Sequence, residues 1–302
     1  MDSTPTKMIR VFAPAKINLY LHVTGRLDNG YHTLDSLIAF TDIGDDITIE
    51  PAADFEFHVT GPYAAHFHLK ETDASPNSSN LVVQAAWALA RAGHTMLPVK
   101  ITLTKNLPLA AGIGGGSSDA AAALWGLCEA LGIPRASAFL PDLMLGLGAD
   151  VPVCFTCQPA RVRGVGEILD PAPMMPEIPV VLVNPGIPCP TAKVFSLYGG
   201  PYRENIVLPG SFENAHDLVK FLRGCQNDLQ EAAMDLVPPI REAVSALHAE
   251  NKCIFSAMSG SGATCFGLFE SHSSAQEAAQ HLALRYPQWW IKAGCLNRPE
   301  RY

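Results

Sequence analysis

The first third of the chain alternates between hydrophobic and polar positions, as half-buried β-strands do. The alternation runs through Met8–Val23 and Thr33–Phe40 and continues in the stretches DDITIE and DFEFHV. Pro14 lies inside the first run and predicts a β-bulge or a break between two short strands, because proline cannot donate a hydrogen bond to a sheet. Asn29-Gly30 favours a turn with positive φ after that run. This part of the chain is therefore expected to be rich in strands.

Helical periodicity follows, in segments with recognisable ends. Asn80–Ala92 begins with Asn and has Gly just beyond its end, which is typical of a helix. A longer helix is expected from Ser117 or Ser118, either of which can cap it, to Gly132, and another across SAFLPDLMLGLG. Val99–Thr104 and the stretch GADVPVCF are expected to be strands.

A proline-rich stretch without periodicity, DPAPMMPE, predicts a domain boundary. On this basis we divide the chain into domains 1–172 and 173–302. The second domain is expected to begin with a strand, PVVLVN, and to continue with helices broken at Pro238-Pro239. Two strands around a Gly/Ser turn, a helix and a last strand are expected to follow. Strands and helices do not alternate strictly, so an α+β fold in two domains is expected.

The charge balance limits the choice of partners. The chain has 21 Lys and Arg against 29 Asp and Glu, a formal net charge of −8. A broad nucleic-acid or anionic-membrane surface needs a basic excess, so neither partner is expected, although one local site can still bind a small anion. The chain has no long apolar run and no signal-type N-terminus, so we expect it to be soluble and cytoplasmic. Cys154 and Cys157 lack the neighbours of a zinc site and are expected to be buried, reduced thiols.

The strongest candidate for chemistry is the glycine-rich stretch LPLAAGIGGGSSDAAAAL. Its glycines allow positive φ and a close approach of backbone to a ligand. The helix that follows directs its free N–H groups and the positive end of its dipole at the loop, which suits phosphate. A mobile linker or a tight helix–strand joint is the alternative, but the loop lies between two strongly patterned elements.

The loop differs from the common phosphate-binding motifs. No Lys follows the glycines as in a Walker A motif, and Ser117 stands where a Rossmann motif has its third Gly. Lys16 and Asp150 would each be uninformative alone, but together with the loop they are candidates for a phosphotransfer site. A phosphotransfer site needs a cation near the transferred group and a carboxylate for the attacking hydroxyl.

Three segments resemble the signatures of the GHMP small-molecule kinases: PAKINLYLHVTGRLDNGYHTLDSLIAF, LPLAAGIGGGSSDAAAAL and LGADVPVCF. Further matching pieces, GVGEIL, PGIPCPTAKVF and MSGSGATCFGLF, extend the resemblance over nearly the whole chain. It implies an N-terminal domain like ribosomal protein S5, a C-terminal ferredoxin-like domain and an active site in the cleft between them. The fit is closest to the branch that uses ATP, with Mg²⁺, to phosphorylate the 2-hydroxyl of a cytidine-diphosphate-linked methylerythritol in the non-mevalonate isoprenoid route.

The resemblance also implies roles for residues that handle phosphate. Asp150 matches the group that orients or deprotonates the attacking hydroxyl, and Lys16 matches the group that stabilises charge on the moving γ-phosphoryl. The ATP phosphate loop is matched by Pro108, Leu109, Ala110, Ala111, Gly112, Ile113, Gly114, Gly115, Gly116, Ser117 and Ser118.

A second set of residues is implied for the acceptor substrate. Tyr31 and Phe195 would lie on opposite faces of the cytosine, and His32 would hydrogen-bond its edge. The positions that match the substrate channel are Asn18, Asp42 and Thr191. For a lone aromatic residue core packing would be the simpler reading, but a bound base does need two aromatic faces and an edge donor.

Several alternatives stay open at this point. Asp119 fits a first-turn acid that favours the helix dipole, which we prefer, or a Mg²⁺ ligand; no acidic cluster identifies the metal ligands. The Ser259–Ala263 turn either faces the active-site cleft or is simply a tight strand turn. Another small alcohol, such as homoserine or mevalonate, and a non-catalytic nucleotide-binding role are the rival functions, and the sequence leaves the oligomeric state undetermined.

Overall fold

The computed structural model describes residues 7–93 and 98–297. Its strands, in chain order, are β1 (Ile9–Arg26), β2 (His32–Pro51), β3 (Glu56–Thr60), β4 (Val99–Thr104), β5 (Ala160–Gly164), β6 (Ile168–Pro171), β7 (Ile178–Asn184), β8 (Cys253–Met258), β9 (Cys265–Phe269) and β10 (Trp290–Leu296). They form two sheets, which join where Leu296 of β10 pairs with Thr41 of β2.

The helices alternate irregularly with these strands. They are α1 (Leu69–Thr72), α2 (Leu81–Arg91), α3 (Gly115–Leu131), α4 (Leu140–Leu147), α5 (Val151–Thr156), α6 (Thr191–Leu197), α7 (Ala215–Leu222), α8 (Gln230–Leu236), α9 (Pro239–Ala249) and α10 (His272–Arg285). The prediction for Asn80–Ala92 is confirmed, since Asn80 and Ala92 are the two caps of α2. The expected α+β architecture is likewise confirmed.

The first sheet is built on one long antiparallel hairpin. β1 and β2 pair along their length, and β2 also pairs with β4 and β5. Of the two alternatives predicted at Pro14, the structure has the bulge and not the break, because β1 continues through this residue. A shift of register between Pro14 and Lys16 accommodates the missing donor, as a β-bulge does.

The second sheet has the order β10-β7-β9-β8, with antiparallel neighbours. Counted within this half, the strands run fourth, first, third, second, and helices connect the first to the second and the third to the fourth. This is the expected ferredoxin-like arrangement. β6 ends at Pro171 and β7 begins at Ile178, and the predicted boundary at 172/173 falls between them. The outer limits of the two predicted domains, residues 1 and 302, lie outside the described residues.

Two helix starts differ from the predictions. GADVPVCF is not a strand, since Val151–Thr156 forms the helix α5 with a proline in its first turn. A six-residue apolar run does not distinguish a strand from a short buried helix, and proline is tolerated at that position. Neither Ser117 nor Ser118 caps α3, whose N-cap is Gly114 at φ +64°.

A hydrophobic core joins the two halves beneath the glycine-rich loop. It combines Ile17 and Leu107 from the first half with Val180 and Phe266 from the second half, all of them fully buried. Because this interface is packed like a domain interior, it holds residues from both halves at fixed distances around the loop.

Candidate active site

The glycine-rich loop leads from β4 into α3 through left-handed backbone. Gly112 has φ +72° and Gly114 has φ +64°, values that L-residues with a side chain rarely adopt. A Cβ on Gly114 would lie 2.6 Å from Cγ of Lys16, and one on Gly112 would lie 2.6 Å from the carbonyl oxygen of Ser259. Both glycines are therefore required by conformation and by space.

Backbone hydrogen bonds hold this loop from both sides. The Lys16 N–H donates to the carbonyl of Ile113 at 3.0 Å, and the Thr264 N–H donates to that of Ala111 at 3.1 Å. The loop ends at the N-terminus of α3, where the first-turn N–H groups lack helical acceptors. Such a terminus is a preformed binding site for an anion, because its dipole adds to the free donors.

An ion pair lies beside the loop. Nζ of Lys16, on β1, is 3.2 Å from Oδ2 of Asp150, which immediately precedes α5. Lys16 Nζ also donates to Asn18 Oδ1 at 3.0 Å. The Lys16 side chain is 8% exposed and that of Asp150 36%. The ammonium is thus held from two sides, and the carboxylate is open to the space beside the loop.

That space is a cavity of about 640 Å³ between the two halves. The predicted site residues that line it are Lys16, Asn18, Pro108, Leu109, Ala110, Ala111, Gly112, Gly114, Gly115, Gly116, Ser117, Asp150, Thr191 and Phe195. Ile113 and Ser118 are buried behind the loop. Residues distant in sequence are therefore assembled around one volume large enough for a small-molecule ligand.

The predicted base-binding residues come together only in part. The His32 ring stacks on Phe195 with centroids 5.3 Å apart, and Tyr198 meets it edge-on at 6.1 Å. Burial, with a smaller contribution from Arg26, lowers the pKa of His32, so its imidazole is neutral at pH 7. Tyr31 is 66% exposed in the β1–β2 turn, outside the cavity lining. Phe195 and His32 thus cover each other, an arrangement that the sequence did not predict.

Asp42 lies away from this cavity. Its Oδ1 accepts a hydrogen bond from the Cys295 N–H at 2.7 Å, where β2 meets the last strand. The expectation that Asp42 lines the substrate channel is therefore not met in the structure. The reason is the packing of β10 against β2, a long-range contact that local sequence does not reveal.

Sequence reasoning missed a buried charged cluster below the loop. Lys105 Nζ lies 2.6 Å from Oδ2 of Asp45 and 2.6 Å from Oδ2 of Asp119. Asp45 Oδ1 also accepts the N–H groups of Asn106 and Leu107. Asp119 is the fifth residue of α3, not a first-turn acid, which corrects the reading that we preferred. The position of Lys105 directly after an alternating strand was the one feature of the sequence that could have indicated this cluster. A single lysine at such a position is usually exposed to solvent, so the cluster was not predicted.

Two polar atoms in this region have no hydrogen-bond partner: Oδ1 of Asp119 and Oγ of Ser118. Burial raises the pKa of Asp119, although the charge of Lys105 opposes the shift. Burial lowers the pKa of Lys105, but the charges of Asp119 and Asp45 outweigh it and the net shift is upward. The ammonium is therefore charged, and the two carboxylates have to share it.

The Gly/Ser turn between β8 and β9 faces the same cavity. Gly260 and Ser261 line it, which favours the first of the two readings left open for this turn. The hydroxyl oxygens of Ser261 and Thr191 are 2.8 Å apart. The second half of the chain thus contributes polar groups as well as Phe195 to the cavity.

Within residues 7–93 and 98–297, no group of three or more His, Cys, Asp or Glu side chains is placed to hold a metal ion. Over the same ranges no helix is long and apolar enough to cross a membrane. Cys154 and Cys157 are buried, as expected.

A helix terminus with free N–H groups beside a lysine–aspartate pair, in a cleft of a two-part α+β fold, is the arrangement expected of a small-molecule kinase. Two family models match the chain: GHMP kinases N terminal domain over residues 80–158 and GHMP kinases C terminal over residues 210–288. The chain is 45% identical over 299 residues to a 4-diphosphocytidyl-2-C-methyl-D-erythritol kinase of Roseobacter denitrificans, covering 97% of this chain and 95% of the relative.

A kinase of the same name from Paramagnetospirillum magneticum is 44% identical over 279 residues, which are 92% of this chain and 95% of the relative. A crystal structure of 4-(cytidine 5'-diphospho)-2C-methyl-D-erythritol kinase superposes with a TM-score of 0.75 at 33% identity, covering 96% of this chain and 100% of that one. The chain therefore belongs to the GHMP kinases, and within them to the family of 4-diphosphocytidyl-2-C-methyl-D-erythritol kinases.

This membership confirms the expected GHMP fold class and the expected enzyme class, a phosphotransferase. It also makes ATP the phosphate donor.

Proposed function

We propose that this kinase transfers the γ-phosphoryl group of ATP to the 2-hydroxyl of 4-diphosphocytidyl-2-C-methyl-D-erythritol, in the non-mevalonate route to isopentenyl diphosphate. The observation that carries the proposal is the Lys16–Asp150 pair, whose Nζ and Oδ2 atoms are 3.2 Å apart and which lines one cavity together with the glycine-rich loop and Phe195. We propose that the loop binds the phosphate donor and that Phe195 lies at the end of the cavity that binds the base. The relatives of this chain are named as kinases of this alcohol.

In the proposed reaction, the ATP phosphates bind at the N-terminus of α3, where free N–H groups and the helix dipole offset their charge. Asp150 orients the acceptor hydroxyl and takes its proton as the phosphoryl group leaves ATP. Lys16, held by Asn18, stabilises negative charge on the moving group. Phosphoryl transfer asks mainly for this positioning and charge stabilisation, because its transition state is loose.

Mg²⁺ fits the two unpartnered oxygens beneath the loop. Asp119 Oδ1 and Ser118 Oγ are buried without a hydrogen-bond partner, and Asp119 lines the cavity. Oxygen ligands of this kind suit Mg²⁺, which is usually bound by one or two protein groups together with substrate phosphates. The ion would supply charge neutralisation of the ATP phosphates. Its binding would also favour the ionised form of Asp119, against the effect of burial.

The base end would recognise the cytidine part of the acceptor. Phe195 offers an aromatic face, and His32, neutral at pH 7, offers one ring N–H and one ring acceptor. Tyr31, in the exposed turn next to His32, is proposed to stack on the base from the other side. Thr191 and Asn18 line the space between this end and the phosphate loop. We also propose a cytoplasmic location, where thiols stay reduced.

The test is an ADP-release assay with a panel of alcohols: the cytidyl alcohol, homoserine and mevalonate. We expect turnover with the first alone. Turnover of homoserine or mevalonate without the cytidyl alcohol would refute the substrate assignment. The product of the expected reaction should carry the new phosphate on the 2-oxygen, which ³¹P NMR coupling identifies.

The proposed role of Asp150 has a matched control. Asp150→Asn should lower kcat by about 100-fold or more and leave ATP affinity nearly unchanged. Asp142→Asn replaces an exposed aspartate in the first turn of α4 and should retain full activity. A kcat of wild-type size in the Asp150 variant would remove Asp150 from the mechanism.

A further inference from the structure

The hydroxyl of Ser259 lies between the phosphate loop and the strand that carries Lys16. Its Oγ donates to the carbonyl of Gly112 at 3.1 Å and accepts the N–H of Asn18 at 3.1 Å. Ser259 is fully buried, so water does not replace either bond. One hydroxyl thus joins three segments that are far apart in sequence: β1, the phosphate loop and the β8–β9 turn.

Asn18 connects this contact to the catalytic pair. Its side-chain Oδ1 accepts from Lys16 Nζ at 3.0 Å, and its Nδ2 donates to Ser36 Oγ at 2.8 Å. The backbone of the residue that holds the Lys16 ammonium is therefore itself held by Ser259. On the other side, Gly112 belongs to the loop whose helix end receives phosphate.

The turn that carries Ser259 is rigidly placed. Asn227 Nδ2 donates to the carbonyls of Met258 at 2.9 Å and Gly260 at 2.7 Å, on either side of Ser259. A Cβ on Gly260 would lie 2.6 Å from the carbonyl oxygen of Gly112, so the two backbones are in direct contact. Ser259 is therefore presented from a fixed support.

We propose that Ser259 is a positioning residue that sets the distance between Lys16 and the bound phosphates. The inference rests on the proposed function, since it concerns the same transfer step. The loop carbonyls of Ala111 and Ile113 keep their own hydrogen bonds when the hydroxyl is removed, so the loop still binds ATP. What changes is the relative placement of the Asn18–Lys16 strand, and misplacement of about 1 Å lowers transfer by up to about 100-fold.

The test compares Ser259→Ala with Ser256→Ala. Ser256 lies on β8, three residues earlier, and its hydroxyl donates to the carbonyl of Val244 at 3.3 Å, away from the cavity. We expect Ser259→Ala to lower kcat by tenfold to 100-fold, with the Kd of a non-hydrolysable ATP analogue changed by less than about threefold. Ser256→Ala should lose a similar amount of thermal stability and keep its kcat.

A double-mutant cycle separates positioning from general destabilisation. If Ser259 acts by placing Lys16, the losses in kcat of Ser259→Ala and Lys16→Ala should be clearly less than additive when combined. Additive losses, or an unchanged kcat in Ser259→Ala, would overturn the inference. Ser259→Cys, which keeps a weak donor and acceptor, should fall between wild type and alanine, and serves if the alanine variant does not fold.

The same assays separate the two proposals. Wild-type transfer to the cytidyl alcohol with equal transfer by Ser259→Ala or Ser259→Cys overturns the inference alone. A wild-type enzyme that does not phosphorylate this alcohol overturns the proposed function and the inference that rests on it.

Discussion

Two buried clusters each contain a carboxylate of β2, Asp35 in one and Asp45 in the other. They differ in how many of their carboxylate oxygens accept hydrogen bonds. Asp35 receives Tyr20 Oη at 2.9 Å, Arg161 Nε at 2.8 Å and Nη2 at 2.7 Å, and the Ile206 N–H at 2.8 Å. In the other cluster, Asp45 and Asp119 share the single ammonium of Lys105, and Asp119 Oδ1 has no partner.

The pKa shifts run in opposite directions. Burial alone would raise the pKa of Asp35, but the donors from Arg161, Ile206 and Tyr20 outweigh it and lower that pKa. Burial raises the pKa of Asp119, and one shared lysine does not reverse the shift. A carboxylate whose oxygens all accept hydrogen bonds within the protein has no oxygen left for a ligand, and its role is to stabilise the fold. A carboxylate with an unpartnered oxygen beside a cavity can still bind a ligand. We therefore assign Asp35 to stability and Asp119 to the proposed Mg²⁺ site.

The largest expected effect is the loss of stability when Asp35 is changed. Asp35→Asn places an amide N–H₂ against donors and leaves the Arg161 charge uncompensated, at a cost of about 3–5 kcal/mol. Urea unfolding measures the loss, and the fraction that stays folded should keep wild-type kcat. Asp170→Asn is the control, because Asp170 pairs with Arg163 at 2.6 Å on the surface, where solvent screening leaves such a pair little effect on stability. Equal losses of unfolding free energy in Asp35→Asn and Asp170→Asn would contradict the assignment of Asp35 to stability.

Asp119 should show the reverse behaviour. Asp119→Asn leaves a one-to-one pair between Lys105 and Asp45 and removes a buried carboxylate whose pKa is raised, so the variant should be at least as stable as wild type at neutral pH. Its kcat/KM with Mg²⁺ and ATP should fall roughly 100-fold, which is about 2.7 kcal/mol. The Mg²⁺ concentration for half-maximal activity should rise as well. Asp46→Asn, an exposed neighbour of Asp45, should keep both values. Unchanged Mg²⁺ dependence in Asp119→Asn would remove it from the metal site.

The same contrast explains what the sequence could predict. The backbone of the glycine-rich loop was predictable, because glycines before a helix allow positive φ and close backbone approach, and Lys16 and Asp150 line the same cavity as this loop. The buried pairs of Lys105 and Asp35 were not predictable, since a charged residue in or directly after an alternating strand has the same sequence pattern whether it faces water or a buried partner distant in sequence. The expectation that Asp42 lines the substrate channel failed for the same reason, because its hydrogen-bond partner Cys295 is 253 residues away in sequence. Local periodicity specifies elements and loops, whereas buried ion pairs depend on tertiary contacts.

The variant Tyr20→Phe removes one hydrogen bond from the cluster around Asp35. It removes the hydroxyl that donates to Asp35 and leaves the three other donors in place. A hydrogen bond to a charged group contributes about 1.5–3 kcal/mol, and the remaining donors should hold the loss near 1.5 kcal/mol. Urea unfolding of Tyr20→Phe, Asp35→Asn and the double variant measures it. The double variant should be little worse than Asp35→Asn, and fully additive losses would show that the hydroxyl acts elsewhere.

The smallest effect is a difference in pH dependence. The folded-state pKa of Asp35 lies below its ordinary value of 3.8, so its contribution to stability is complete above pH 3.8 and is lost as the pH falls through the folded-state pKa. The folded-state pKa of Asp119 lies above 3.8, so the folded state holds that proton more tightly and loses stability as the pH rises between the two values. The stability of wild type relative to Asp35→Asn should therefore rise with pH below 3.8. Relative to Asp119→Asn it should fall with rising pH above 3.8, by at most about 1.4 kcal/mol per pH unit. Urea unfolding of the three proteins from pH 3 upward measures both slopes, and slopes of equal sign would contradict the division of the two clusters.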